Sequence, residues 1–139
     1  MKRVLIDTNV VLDVLLERKP HMAASAAVWD AIESGGAEGY LAVHAITTIH
    51  YLARKQLGAR RAKRVIASLL QVFRVAAVDG NVLRDAVQYE TLDFEDAVST
   101  AAAETTGCEA IVTRDPKGFR VAGLPVLTPE AAAPLLAAR

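Results

Sequence analysis

Val4, Leu5 and Ile6 run directly into Asp7, Thr8 and Asn9, and a helical pattern begins at once. No other stretch constrains the fold as much. A short continuous apolar run reads as a strand buried on both faces, the habit of a central parallel strand. Its carboxyl end then carries the polar trio, and open α/β sheets place their sites at that edge. The same residues also read as an ordinary helix start, with Thr8 or Asn9 as the cap and Asp7 as a solvated turn residue. The choice depends on where the chain places its other acids.

Similar runs recur along the chain. Val10, Val11, Val14 and Leu15 share a helical face that ends near Arg18, because Pro20 disfavours helix at Lys19. The spacing predicts a second helix from about His21 to Ser34, with Ala24, Ala27, Val28 and Ile32 inward and Gly35 and Gly36 as the stop. Tyr40 to Val43 read as a second strand, followed by a helix from about His44 to Gly58 and another over Ala62–Phe73. Trp29, the single tryptophan, sits beside Val28 and is read as a packing residue. Arg74 to Val78 read as a third strand, ended by Asp79, Gly80 and Asn81. A short helix over Val82–Val87 is interrupted between Thr91 and Asp96, and the next begins at Ala97 and stops at Gly107. Ala110 to Thr113 and Pro125 to Leu127 read as the last strands, and Thr128-Pro129-Glu130 opens a final helix with proline at its first position. Such alternation predicts one α/β domain over residues 1–139, with a mostly parallel central sheet of four to five strands between helices.

With 139 residues, the chain is long enough to bury a core. Lys+Arg and Asp+Glu both number 16, so bulk attraction to nucleic acid is excluded while a local basic patch beside a local acidic site is allowed. Cys108 is the single cysteine, which excludes an intramolecular disulfide and a cysteine metal site and fits a reducing cytoplasm. The opening Lys2-Arg3 and apolar run imitate a signal peptide, but Asp7, Asn9 and Asp13 break it. No apolar run approaches the roughly 20 residues that span a bilayer. The expectation is a cytoplasmic protein with no membrane partner.

The acids gather at element junctions: Asp7 after the first strand, Asp79 after the third, Asp93, Glu95 and Asp96 at a helix start, and Asp115 after the fourth strand. Parallel strands end on one edge, so Asp7 and Asp115 can meet despite their separation in sequence. Clustered carboxylates repel one another unless a cation neutralises them. An oxygen-only cluster suits a hard ion such as Mg²⁺ or Mn²⁺. Such an ion bridges carboxylates and a phosphate and lowers the pKa of a bound water, so phosphodiester hydrolysis is the natural chemistry.

Each acid also has a plainer reading. Asp79 reads as a turn or cap residue. Asp93 stands three before Asp96, in capping-box spacing. Glu95 and Asp96 then fall in a first helical turn, where the macrodipole favours acids. They point about 100° apart, so the two do not both face one ion, and Asp96, next to Ala97 and Val98, is the inward one. Asp13 and Asp30 fall on exposed faces by periodicity, and Asp115 before Pro116 fits a turn.

Val-Leu-Ile-Asp-Thr-Asn at 4–9, Asp-Phe-Glu-Asp-Ala at 93–97 and Ile-Val-Thr-Arg-Asp at 111–115 together resemble PIN-domain ribonucleases, nearest to small bacterial toxins of the VapC type. The resemblance covers nearly the whole chain. It implies a three-layer α/β fold and metal-dependent endonucleolytic cleavage of RNA with Mg²⁺ or Mn²⁺. It places Asp7, Asp96 and Asp115 at the catalytic site, with Asp7 and Asp96 on the metal. Thr8, Asn9 and Thr113 are then expected to orient these carboxylates by hydrogen bonds, with Asp93 in support. It also implies a homodimer inhibited by a cognate antitoxin protein.

One position departs from the family's pattern. Where many members carry a glutamate in the helix after strand two, this chain has Thr48; Asp93 or Glu95 is the candidate replacement. The departure bears on whether one or two ions bind, and it keeps open a PIN-fold binding module that acts through a protein or RNA partner with little catalysis. His44 shares a helix face with Thr48 and is a candidate contact for substrate, as is Arg114 beside Asp115. His21 and His50 do not complete a zinc signature. Arg54, Lys55, Arg60, Arg61, Lys63 and Arg64 form a basic cluster that suits RNA phosphates or plain solvent equally. A haloacid-dehalogenase-type phosphotransferase needs an aspartate where Asn9 stands, and a phosphoacceptor domain needs paired acids that Thr8 and Asn9 do not supply.

Overall fold

The computed structural model describes residues 2–91, 93–119 and 122–137. Five strands, β1 (Arg3–Ile6), β2 (Glu38–Ala42), β3 (Arg74–Ala76), β4 (Ala110–Val112) and β5 (Val126–Leu127), form one sheet in the order β3-β2-β1-β4-β5. Every pair is parallel. Among the described residues, seven helices surround it: α1 (Thr8–Leu15), α2 (Met22–Glu33), α3 (Val43–Leu57), α4 (Ala59–Val72), α5 (Gly80–Val87), α6 (Phe94–Thr106) and α7 (Pro129–Ala137). None is long and apolar enough to cross a membrane.

Strand alternation builds two cores from one sheet. Val4, Ile6, Leu41, Ala110 and Val112 face a cluster with Val11, Val28, Ile32, Ile49, Leu69 and Leu136. Leu5, Tyr40, Ala42, Ala76 and Ile111 face the opposite way, onto Val82, Ala97, Val98, Ala101, Ala102 and Phe119. Both faces of the sheet are therefore covered, and the fold is a three-layer α/β sandwich. Each fully buried Leu or Ile here contributes about 1.5–3 kcal/mol from removal of apolar surface. The alanines of α6 let that helix lie close on the sheet, which brings its first turn near the strand ends. Trp29 packs edge-on against Phe73, 5.1 Å between ring centres, in the packing role expected of it.

Several boundaries differ from the pattern reading. α4 starts at Ala59 rather than Ala62, because Gly58 at φ +81 turns the chain sharply and serves both helices. β3 stops at Ala76, short of Val78. α6 starts at Phe94, not Ala97, because Asp93 caps it. A 3-10 turn at Pro116–Phe119 has no sequence signal beyond the proline. Ala27 is exposed and the small Ser25 takes its place inside α2. Met1, Leu92 within the interruption expected at 91–96, and the end of the final helix beyond Ala137 lie outside the described residues.

The largest correction concerns Asp13. Periodicity puts it on a solvent face; the structure buries it completely, whereas Asp30 is exposed as expected. Helical periodicity presupposes one covered side. α1 is buried at four consecutive positions, Val10 to Asp13, because it is enclosed by the sheet, by α2 and by the loop after β4.

Candidate active site

The strand order reverses direction between β1 and β4, which makes their carboxyl ends the switch point where open α/β sheets form crevices. Asp7 leaves β1 and Thr113 to Asp115 leave β4 at this point. The Asp7 N–H still donates to Val112 O at 2.9 Å, so the ladder continues to the edge. Asp7 caps α1: its Oδ1 accepts from the Thr8 N–H at 2.9 Å. Its other oxygen, Oδ2, accepts from the Thr113 hydroxyl at 2.7 Å, and Thr113 Oγ1 in turn accepts from the Asp115 N–H at 3.1 Å. Thr113, fully buried, thus ties two acids from two strands together.

α6 brings the other acids. Asp93 accepts from the Asp96 N–H at 3.0 Å and so fills the cap position that its spacing suggested. Asp96 then stands in the first turn, partly buried. A side chain at Gly118 would collide with Asp96 Oδ2 and lie 3.7 Å from Asp115 Oδ2, so the 3-10 turn after β4 folds over both carboxylates with no side chain between. Any larger residue here would make the Asp96 carboxylate shift.

The charges register this convergence. Burial raises the Asp7 carboxyl above its ordinary range; the bonds from Thr113 and Thr8 pull it down, while the charges of Glu95 and Asp115 push it up, and the net shift is upward. Asp96 is pushed up to about 7, first by burial, then by the charges of Asp93, Asp7, Glu95 and Asp115. Among the described residues no Lys or Arg forms an ion pair with Asp7, Asp96 or Asp115. Nor do three His, Cys, Asp or Glu side chains converge at ligating distance among those residues. The acids are thus close enough to repel without meeting at a common point. An all-oxygen, cation-poor group under a glycine cradle fits a hard divalent ion, whose charge would remove the repulsion.

Glu95 is closer to the site than helical geometry suggested. It acts on both Asp7 and Asp96, and the Thr48 hydroxyl lies 3.5 Å from Glu95 Oε1. A carboxylate from α6 therefore reaches the position on α3 where the expected acid is missing. The sequence carries the signal, an acid adjacent to Asp96, but not its direction.

Other expected residues are placed differently. Asn9 does not bond a carboxylate; its Oδ1 accepts from the Arg114 N–H at 3.3 Å and fastens α1 to the loop after β4. Thr8 acts on Asp7 through its backbone N–H and not its hydroxyl. His44 stands in the first turn of α3, with Nε2 3.1 Å from Ser99 Oγ and Nδ1 buried without a partner. It lines, with Thr48, Leu83, Phe94 and Glu95, a mainly apolar cavity of about 330 Å³ beside the acids. Arg114 does not join the acids: its Nε lies 2.7 Å from Asp13 Oδ2 in an ion pair whose N–H is not aimed along the contact. Asp79 caps α5 through the Val82 N–H at 3.0 Å and is not part of the site. The basic cluster of α3 and α4 is exposed. Burial pushes the Cys108 thiol up to about 11, so it stays protonated and unreactive.

The fold and edge site define an α/β protein of PIN type. The PIN domain family model matches residues 3–117, and the chain belongs to that family. Solved structures share the fold, among them the following three. A FitAB complex bound to an IR36 DNA fragment is 22% identical, with TM-score 0.72, covering 91% of this chain and 95% of the other. A DNA-bound VapBC from Salmonella typhimurium is 17% identical, with TM-score 0.71, covering 93% and 99%. VapC20 of Mycobacterium tuberculosis, a sarcin-ricin loop cleaving toxin, is 18% identical, with TM-score 0.63, covering 78% and 86%. No curated protein matches the sequence significantly.

Proposed function

We propose that this chain is a divalent-metal-dependent endoribonuclease and the toxin of a toxin–antitoxin pair. The observation that carries the reading is that Asp7, Asp96, Asp115 and Glu95 lie close enough to repel at the β1–β4 switch point, with none of the three aspartates ion-paired to a Lys or Arg among the described residues. Membership of the PIN family supports it, as does likeness in fold to a loop-cleaving toxin and to toxin–antitoxin complexes.

Asp7 and Asp96 would hold Mg²⁺ or Mn²⁺, with Asp115 completing the site or orienting the attacking water. When bound, the ion supplies Lewis-acid activation of the phosphate and a more acidic water. Thr113 holds Asp7 and the Asp115 backbone in fixed relation, and Asp93 fixes the first turn of α6 that carries Asp96. Glu95 takes the part of the acid absent at Thr48. His44, beside Glu95, is a candidate contact for RNA; Arg114, the other candidate, is held by Asp13. The partners follow the same reading: RNA as substrate, an antitoxin protein as inhibitor, a second copy in a homodimer, in the cytoplasm.

Cleavage of mixed RNA is expected to require Mg²⁺ or Mn²⁺, to stop with EDTA and to be lost in Asp7→Asn. Full activity of that variant would falsify the assignment. A second reading, a PIN-fold binding module, is favoured by Thr48 at the acid position and by the lack of a preassembled ligating trio among the described residues. It predicts metal binding and cleavage both absent while a protein or RNA partner still binds.

A further inference from the structure

We infer that Asp13 is a positioning residue that keeps the cation of Arg114 out of the acid cluster, and so keeps the cluster free for a divalent ion. The inference rests on the functional reading above and names a residue outside its acids.

Arg114 is placed where self-neutralisation would be easiest. It follows Thr113, whose hydroxyl is bonded to Asp7, and precedes Asp115. A flexible, permanently charged side chain at this point is long enough to fold onto either carboxylate. Its ion pair lies elsewhere: Nε sits 2.7 Å from Asp13 Oδ2, on the α1 side of the loop. Two further bonds hold the groups around this pair. The Ser25 hydroxyl of α2 donates to the same Asp13 oxygen at 3.0 Å, and Asn9 Oδ1 accepts from the Arg114 N–H at 3.3 Å. Anchors from α2 and α1 thus hold the Asp13 carboxylate and the Arg114 backbone respectively.

Stability alone is a poor account of this arrangement. Asp13 is fully buried, and its Oδ1 has no hydrogen-bond partner. An ion pair with an orphaned oxygen carries a desolvation penalty that an apolar pair of similar volume would avoid. What the pair does achieve is charge separation. One acid inside the fold takes Arg114, and among the described residues the acids at the edge form no ion pair with Lys or Arg.

The test is Mn²⁺ affinity of the full chain, measured by calorimetry without RNA. Asp13→Asn frees the arginine and is expected to weaken Mn²⁺ binding by about tenfold or more. Asp13→Asn combined with Arg114→Gln removes the competing cation, and is expected to return affinity to within about threefold of wild type. A purely structural role predicts no such rescue, so a double variant as weak as Asp13→Asn overturns the inference, as does a folded Asp13→Asn with unchanged affinity. If Asp13→Asn does not fold, wild-type protein decides. The Arg114 Nε–H resonance should be restrained and slow to exchange in metal-free protein; a mobile, fast-exchanging guanidinium overturns the inference. A wild-type chain that neither binds Mn²⁺ nor cleaves RNA removes the functional reading itself and this inference with it.

Discussion

Asp13 and Asp96 are the same residue type in opposite electrostatic settings. Asp13 is enclosed between α1, α2 and the loop after β4, and it has a cation and a hydroxyl on one oxygen. Asp96 is only partly buried, on the first turn of α6, and the charges that act on it among the described residues are those of Asp93, Asp7, Glu95 and Asp115. The interior acid holds its neighbourhood together. The edge acid strains its own. A fold gains nothing from an unpaired acidic edge, so the contrast locates the part of the molecule shaped by something other than folding.

Four substitutions separate the interior acid from the edge acids. The largest expected effect is on chemistry at the edge: Asp7→Asn should lower the initial rate of RNA cleavage by about 10²–10³-fold or more, while circular dichroism shows an unchanged fold. Next comes the interior. Asp13→Asn leaves Arg114 without its partner, and urea unfolding should show a loss of about 3 kcal/mol, at the lower end for a broken buried pair because the Arg114 side chain keeps 27% exposure. A loss below a few tenths would mean that the pair is not formed in solution.

The edge acid should behave in the opposite sense. The folded protein holds the Asp96 proton up to about pH 7, whereas the unfolded chain releases it near 3.8. Through that window the native state binds the extra proton, so this group's contribution to stability falls as pH rises from about 4 to 7 and is level above. Asp96→Asn should therefore stabilise the metal-free protein at pH 8, by on the order of 1–2 kcal/mol after allowance for solvent screening. It should also flatten its melting temperature across that range. Added Mg²⁺ should stabilise the wild type and not the variant; equal stabilisation of both would remove Asp96 from the ion's ligands.

The smallest effect probes the cradle. Gly118→Ala puts a methyl group against Asp96 Oδ2 and should weaken Mn²⁺ binding by about five- to tenfold with little change in melting temperature. A large loss of stability instead would make Gly118 a folding glycine.

Much of this site is legible in the amino-acid sequence. Apolar runs ending in polar residues mark β1 and β4, the parallel alternation puts their ends on one edge, and the spacing of Asp93 and Asp96 announces a cap that the structure contains. The directions of individual side chains are not legible. Glu95 and Asp96 differ by one helical step, and a strict reading of that step turns Glu95 away. In the folded chain its charge still acts on Asp7, because a long side chain near a helix start spans the difference. Asn9 reads as a partner for acids and instead fastens the Arg114 backbone.

The alternation of strands and helices, the parallel sheet and the placing of acids at element junctions can all be read from the order of residues. These follow from local periodicity and turn chemistry, which each segment carries alone. Packing between layers is what makes Asp13 interior, pairs Arg114 with Asp13 rather than with Asp115, and closes Gly118 over Asp96. Those pairings join residues from different layers. They exist only once the order β3-β2-β1-β4-β5 has brought α1, α2 and the loop after β4 together. Periodicity describes one face of one element, and burial is a property of everything packed around it.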